Sequence, residues 1–198
     1  MAVLPGGTVT FLFTDIEGST RLLQELGDAY GDVVRDHRRL LRESLGEKGG
    51  TEVDTQGDAF FYSFPRARDA VAGAVAAQRA LSTHEWPEGR EVRVRMGLHT
   101  GEPSVGDEGY LGLDVVRAAR ICSAGHGGQI LLSGDAVGAV EASAPVNSTF
   151  RSLGDHRLRG LPEPVRLFQL EARDLPVRFP APRGAKVVRK SNRAKRAP

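Results

Sequence analysis

Asp15 closes an alternating apolar stretch, TVTFLFTDI, and EGST follows at once and opens a helix. A stiff strand would hold that carboxylate in place. The peptide N–H groups of Glu17, Gly18, Ser19 and Thr20 would converge near a helix N-terminus, a natural seat for phosphate. A carboxylate beside such a seat repels an anion unless a cation bridges them, and Mg²⁺ bridges through one or two carboxylates plus substrate phosphates. Asp58, in the Gly-Asp turn of TEVDTQGDAFFYSF, is the candidate second carboxylate of a two-metal site. Asp54 lies four residues earlier in the same hairpin, within a strand, where turn chemistry does not account for it. Taken alone, Asp15 fits a helix cap as well as it fits a metal site.

Three arginines form the second group. Arg117 and Arg120 lie three apart in LDVVRAARI, a helical pattern otherwise surrounded by apolar residues, and arginine rarely sits on an apolar face without a partner. Each is readable as half of a surface ion pair or as a guanidinium aimed at phosphate. Arg159 stands directly before the Gly-Leu-Pro turn of HRLRGLPEPV, where a kink can project it. Cys122, the only cysteine, falls in the same apolar helical pattern and reads as buried filler. An intrachain disulfide is impossible, and a reducing, cytoplasmic setting is the expectation.

The elements that must position these groups read in the order β-α-β-β-α-β-α-β-β-β. GTVTFLFTDI is a strand, and EGSTRLLQELG opens a helix with Ser19 or Thr20 as its cap and a break at Gly27. The Asp54/Asp58 hairpin follows, then the helix RARDAVAGAVAAQRAL, the strand EVRVRMGLHTGEP and the helix LDVVRAARICSAG. GQILLSG and two strands around the Gly-Leu-Pro turn complete the pattern. Strands cluster between helices, which predicts an α+β sandwich with an antiparallel or mixed sheet. In 198 residues, 40% hydrophobic and 26% charged, no apolar run is long enough to span a bilayer, and the N-terminal residues lack the pattern of a secretory signal. From Leu175 onward there are eight basic residues and no acidic one, with four prolines. This predicts a domain over 5–173 and a disordered basic tail over 174–198, a solubilising end or a salt-sensitive contact for nucleic acid or anionic lipid.

Together FTDIEGST, TQGDAFF, GLHTGE, AARI and LRGLPEPVRLFQL resemble the ordered motifs of the class III nucleotidyl cyclases, in a divergent bacterial form. The resemblance covers most of residues 8–171. It implies a ferredoxin-like βαββαβ sheet with helices packed on it, extra C-terminal strands and a head-to-tail homodimer with shared sites. It implies two divalent metals, Mg²⁺ or Mn²⁺, held by Asp15, Asp58 and the carbonyl of Ile16. It also implies a transition-state arginine at Arg120 and a phosphate-binding cation at Arg159. The implied reaction is attack of a ribose 3′-oxygen on the α-phosphorus of ATP or GTP, releasing pyrophosphate and giving a 3′,5′-cyclic nucleotide for signalling.

Three positions depart from that pattern: Asp54 replaces an adenine-reading Lys, Gly109 its partner Asp, and Val116 a ribose-orienting Asn. An ionised Asp54 only accepts hydrogen bonds, which suits N1–H and the 2-amino group of guanine. Val116 can make no hydrogen bond at all. The alternative to a cyclase is therefore a weak or inactive nucleotide-binding, dimerising module. A nucleic-acid-binding protein driven by its tail is a third reading.

Overall fold

The computed structural model describes residues 4–106, 109–141 and 148–188. At the centre of the fold lies β1 (Val9–Ile16), paired antiparallel with both β3 (Ala59–Phe64) and β4 (Val94–Gly101). β2 (Thr51–Gln56) closes the hairpin with β3. Between β1 and β2 run α1 (Ser19–Leu26), a single 3₁₀ turn at Gly27–Ala29, and α2 (Tyr30–Gly46). α3 (Ala67–Thr83) joins β3 to β4. The strand order β4-β1-β3-β2 with these helices is the βαββαβ unit expected.

After β4 come a small hairpin of β5 (Ser104–Gly106) and β6 (Gly109–Leu111), then α4 (Leu113–Ala124). β7 (Ile130–Ser133) pairs parallel with β4, and the short α5 (Gly134–Val140) follows. β8 (Ser148–Arg157), β9 (Val165–Ala172) and β10 (Lys186–Val187) complete an eight-stranded mixed sheet in the order β10-β8-β9-β7-β4-β1-β3-β2. The β5–β6 hairpin, α5 and β10 are too short to leave a periodic signal in the sequence.

Both faces of β1 are covered. Leu12 and Ile16 enter the main core with Val33, Leu41 and Leu45 of α2 and Ala70, Val71 and Ala74 of α3. Phe11 enters the opposite cluster with Phe61, Tyr110 and Ala118, and Phe13 packs on its edge. Because side chains alternate along a strand, Asp15 shares the face of Phe11 and Phe13, the face that α4 covers. The polar members of the main-core face are buried, and Thr10 meets Thr100 of β4 through their hydroxyls at 2.8 Å.

Gly97 and Gly101 of the GLHTGE motif set the approach of α4 to the sheet. A Cβ at Gly97 would collide with the backbone of Cys122, and one at Gly101 with the Asp114 carboxylate. Cys122 is buried in this contact and donates to the Arg95 carbonyl at 3.6 Å, the filler role read for it.

The tail expected to be disordered from residue 174 is, over its described part, laid on the domain. Val177 O accepts from Gln169 Nε2 at 2.8 Å, and β10 pairs with β8 through Lys186↔Arg157 and Val187↔His156. Composition could not show this, because the segment is held by backbone bonds and single side-chain contacts rather than by a buried apolar face of its own. The remainder of that basic run, 189–198, lies outside the described residues. Among the described residues no helix is long and apolar enough to cross a membrane.

Candidate active site

Asp15 and Asp58 come together at the end of β1. The Gly57-Asp58 turn of the β2–β3 hairpin lies beside Ile16, whose N–H donates to Asp58 Oδ2 at 3.1 Å. The hairpin is fixed from behind by α2. Arg42 forks onto both oxygens of Glu52 at 2.8 and 2.9 Å, Thr55 Oγ1 and Tyr62 OH donate to the same carboxylate, and Arg38 donates to Gly57 O at 2.7 Å. The Arg42 guanidinium and these bonds hold the Glu52 carboxyl down to about 2.

Asp15 has a partner that sequence reasoning did not find. Arg95 faces it directly across the β1–β4 ladder, with Nε 3.0 Å from Oδ2 and a second guanidinium nitrogen in closer contact. Burial pushes the Asp15 carboxyl upward; Arg95 opposes that, and the nearby Asp58 carboxylate adds to it. The alternation in EVRVRM puts Arg93 and Arg95 on one face, but only the register decides that this face meets Asp15. Two adjacent carboxylates, of which Arg95 pairs with Asp15 alone, offer the oxygen donors that suit a hard divalent cation.

One of the four N–H groups expected to face phosphate is already used. The Glu17 N–H donates to Arg93 O at 2.8 Å and is not available to an anion. Gly18 takes a left-handed conformation as the N-cap of α1, with no side-chain cap from Ser19 or Thr20. The first turn of α1, beginning with the N–H groups of Ser19 and Thr20, therefore offers the free donors.

Arg120 and Arg159 meet elsewhere on the surface. With Ser123, Ala124, Leu158, Arg183 and Gly184 they line a shallow concavity of about 220 Å³. Most arginines of the described residues are ion-paired, but both of these are exposed and neither has a carboxylate partner. Neither bonds to Asp15 or Asp58 within the chain. Arg117 is instead structural: it pairs with Asp114 at 2.6 Å, the ion-pair reading of that residue.

Asp114 belongs to a buried relay that fixes α4. The Ser133 hydroxyl accepts from Ala136 N–H at 3.1 Å and lies 2.7 Å from His99 Nδ1, while His99 Nε2 lies 3.0 Å from Asp114 Oδ1. Arg117 Nη1 donates to the same Asp114 oxygen at 2.6 Å and lies 3.2 Å from His99 Nε2, so guanidinium, imidazole and carboxylate meet at one point. Burial lowers the His99 pKa and favours the neutral imidazole. Ser133 is fully buried, so this arrangement positions a helix and offers no nucleophile to substrate.

Asp54 lies at the rim of a separate groove of about 540 Å³ floored by Phe13, Phe61, Tyr110 and Val115. Its oxygens accept from Thr55 N–H at 2.8 Å and from Gln56 Nε2 at 2.9 Å. Gly109 adjoins the groove: a Cβ there would lie 3.9 Å from Val53, at a φ of +122°. Val116, on α4, is 38% exposed and apolar.

The model of the adenylate and guanylate cyclase catalytic domain matches residues 2–172. The chain belongs to this family. An uncharacterized protein of Mycobacterium tuberculosis is 36% identical over 184 residues, covering 92% of this chain and 62% of that protein. The chain thus spans less than two thirds of that relative's length. An adenylate cyclase of Podospora anserina is 33% identical over 162 residues, covering 69% of this chain and 8% of that protein. Among solved structures, an adenylate cyclase of Trypanosoma brucei, described in its monomeric state, superposes with a TM-score of 0.80 at 28% identity. That match covers 90% of this chain and 95% of the other. The adenylyl cyclase CyaB of P. aeruginosa gives 0.70 at 26%, covering 86% and 97%. The α+β fold with its large sheet is the fold of these cyclase domains.

Proposed function

We propose that this domain converts a purine nucleoside triphosphate, ATP or GTP, to the 3′,5′-cyclic nucleotide and pyrophosphate, for signalling. The observation that carries this reading is the meeting of Asp15, Asp58 and the Ile16 backbone beside the open first turn of α1. Asp15, Asp58 and the Ile16 carbonyl would hold divalent metal, Mg²⁺ or Mn²⁺. When bound, such metals lower the pKa of the attacking hydroxyl and neutralise the polyphosphate. Arg95 is the counter-ion of Asp15. The α1 N–H groups would bind phosphate oxygens and hold the polyphosphate in line for departure.

Arg120 and Arg159 do not reach Asp15 or Asp58 within the chain, which supports their acting in a partner's site. A head-to-tail homodimer brings them there. Val105 and Leu111 of the β5–β6 hairpin, together with Leu113 and Val116 of α4, expose an apolar face suited to that contact. In the dimer Arg120 would offset charge developing at the α-phosphate and Arg159 would hold the polyphosphate. The groove behind Asp54 is apolar and aromatic enough to take a purine. The carboxylate at its rim matches the N1–H and 2-amino donors of guanine, while the Podospora anserina relative is an adenylate cyclase.

Val116 favours a second reading. An exposed aliphatic side chain at the ribose-facing position leaves the sugar unpositioned, which supports a domain that binds nucleotide and dimerises but turns over slowly or not at all. One assay separates the two: purified protein at dimerising concentration, with Mn²⁺ or Mg²⁺ and either nucleotide, followed for cyclic product. Product from either nucleotide supports the cyclase. Nucleotide binding with no product from either would replace it with the second reading.

A further inference from the structure

The metal loop is held from behind by a segment outside the βαββαβ unit. Residues 174–188 leave β9, cross the end of α4 and return along the edge of β8. Arg183 is the centre of this strap. Its N–H donates to Ala124 O at 2.8 Å and its Nε donates to His126 Nδ1 at 3.1 Å. His126 therefore carries its proton on Nε2, which donates to Ala181 O at 3.0 Å, and its ring stacks on Phe179. Val188 N–H donates to Asp155 O at 2.8 Å and closes the strap beyond Arg183.

The remaining face of the Arg183 guanidinium is ion-paired with Glu17. Glu17 is the residue between Ile16 and Gly18, so its peptide units carry the proposed metal-binding carbonyl and the N-cap of α1. Its Oε1 is buried and accepts no aligned hydrogen bond, so the half-exposed guanidinium of Arg183, the one cation among the described residues at ion-pairing distance, holds it by charge. Gly127 leaves room for both neighbours here: a Cβ there would lie 2.4 Å from Arg93 Cβ and 2.8 Å from Glu17 Oε2. A carboxylate oxygen buried in this way stays in place only while it is paired.

We propose that Arg183 is a positioning residue that sets the Ile16–Gly18 loop through Glu17, so that the C-terminal strap governs how tightly the loop holds a divalent cation. This rests on the metal reading of Asp15, Asp58 and Ile16. Arg183 touches neither metal nor nucleotide in this role. Outer-shell partners of metal ligands are worth about 10–100-fold in affinity or activity.

The test is Mn²⁺ binding to the full chain without nucleotide, read from the loss of the free-ion electron paramagnetic resonance signal, alongside thermal unfolding. Arg183→Met is expected to weaken Mn²⁺ binding about 10-fold or more, and Arg183→Lys to recover part of the loss by restoring the charge. Glu17→Gln removes the charge of the same pair from the other side and serves if Arg183→Met does not fold. The double variant is expected to bind no more weakly than the weaker single one, since both act through one pair. Unchanged Mn²⁺ affinity in a folded Arg183→Met or Glu17→Gln protein overturns the proposal. An Asp58→Ala control separates the two levels: if it too binds Mn²⁺ like the wild type, the metal reading itself has failed. If it alone loses binding, only the role of Arg183 is refuted.

Discussion

Acidification is expected to weaken this fold through His37 in a way that one substitution removes. His37 is fully buried on α2, edge-on to the Phe60 ring at 5.7 Å, and neither ring nitrogen has a hydrogen-bond partner. Burial pushes its pKa from 6.5 down to about 4; Arg38 adds to the fall and Asp15 opposes it. The imidazole is therefore neutral in the folded chain, whereas the unfolded chain takes up a proton near the ordinary value. The stability that depends on neutrality is whole above that value and is lost as pH falls through the window between the two. Between about pH 7.5 and about pH 5.5 the loss is on the order of 1 kcal/mol, and it grows further toward pH 4.5. Urea unfolding at fixed protein concentration measures it, since self-association would otherwise move the midpoint. His37→Leu keeps the bulk and removes the proton site. The wild type is expected to lose on the order of 1 kcal/mol more than the variant over the first interval. The other histidines are common to both proteins and cancel in the difference. Equal losses would show that His37 is hydrated or bonded in solution, and would refute the argument from burial.

Four further outcomes follow from the site and its supports. Asp58→Ala and Arg120→Ala should each abolish most cyclase activity, the latter by about 10²–10³ in kcat, and mixing the two should recover product if sites are shared between protomers; no recovery in proven heterodimers would count against sharing. Val116→Asn should raise turnover several-fold by restoring a hydrogen bond to the ribose, and an unchanged kcat would remove that position from the site. Gly97→Ala should cost about 1–3 kcal/mol in chemical denaturation, because its Cβ would meet the backbone of α4; a wild-type midpoint would show that α4 can shift. Cys122, with its thiol pushed up to about 12 by burial, should resist alkylation in the native protein and react in urea, and rapid native labelling would contradict the packing of α4.

Much of this protein is determined locally. The alternation that makes β1, the helical periods of α2 and α3 and the Gly-Asp turn are properties of short segments, and they suffice to carry Asp15 and Asp58 to strand ends. Motif spacing across the chain was enough for the family. The tertiary structure decided what depends on register and on contacts distant in sequence. Arg95 meets Asp15 because β4 pairs with β1 in one particular register; one residue of slip would turn it to the other face. The Glu17 amide looks free in the sequence, but the Arg93 carbonyl of β4 takes it. Asp114 and His99 form a relay only because two glycines let α4 lie against the sheet. Residues 174–188 look disordered by composition because their order comes from hydrogen bonds to residues far away in the chain, a form of stabilisation that leaves no periodicity to read.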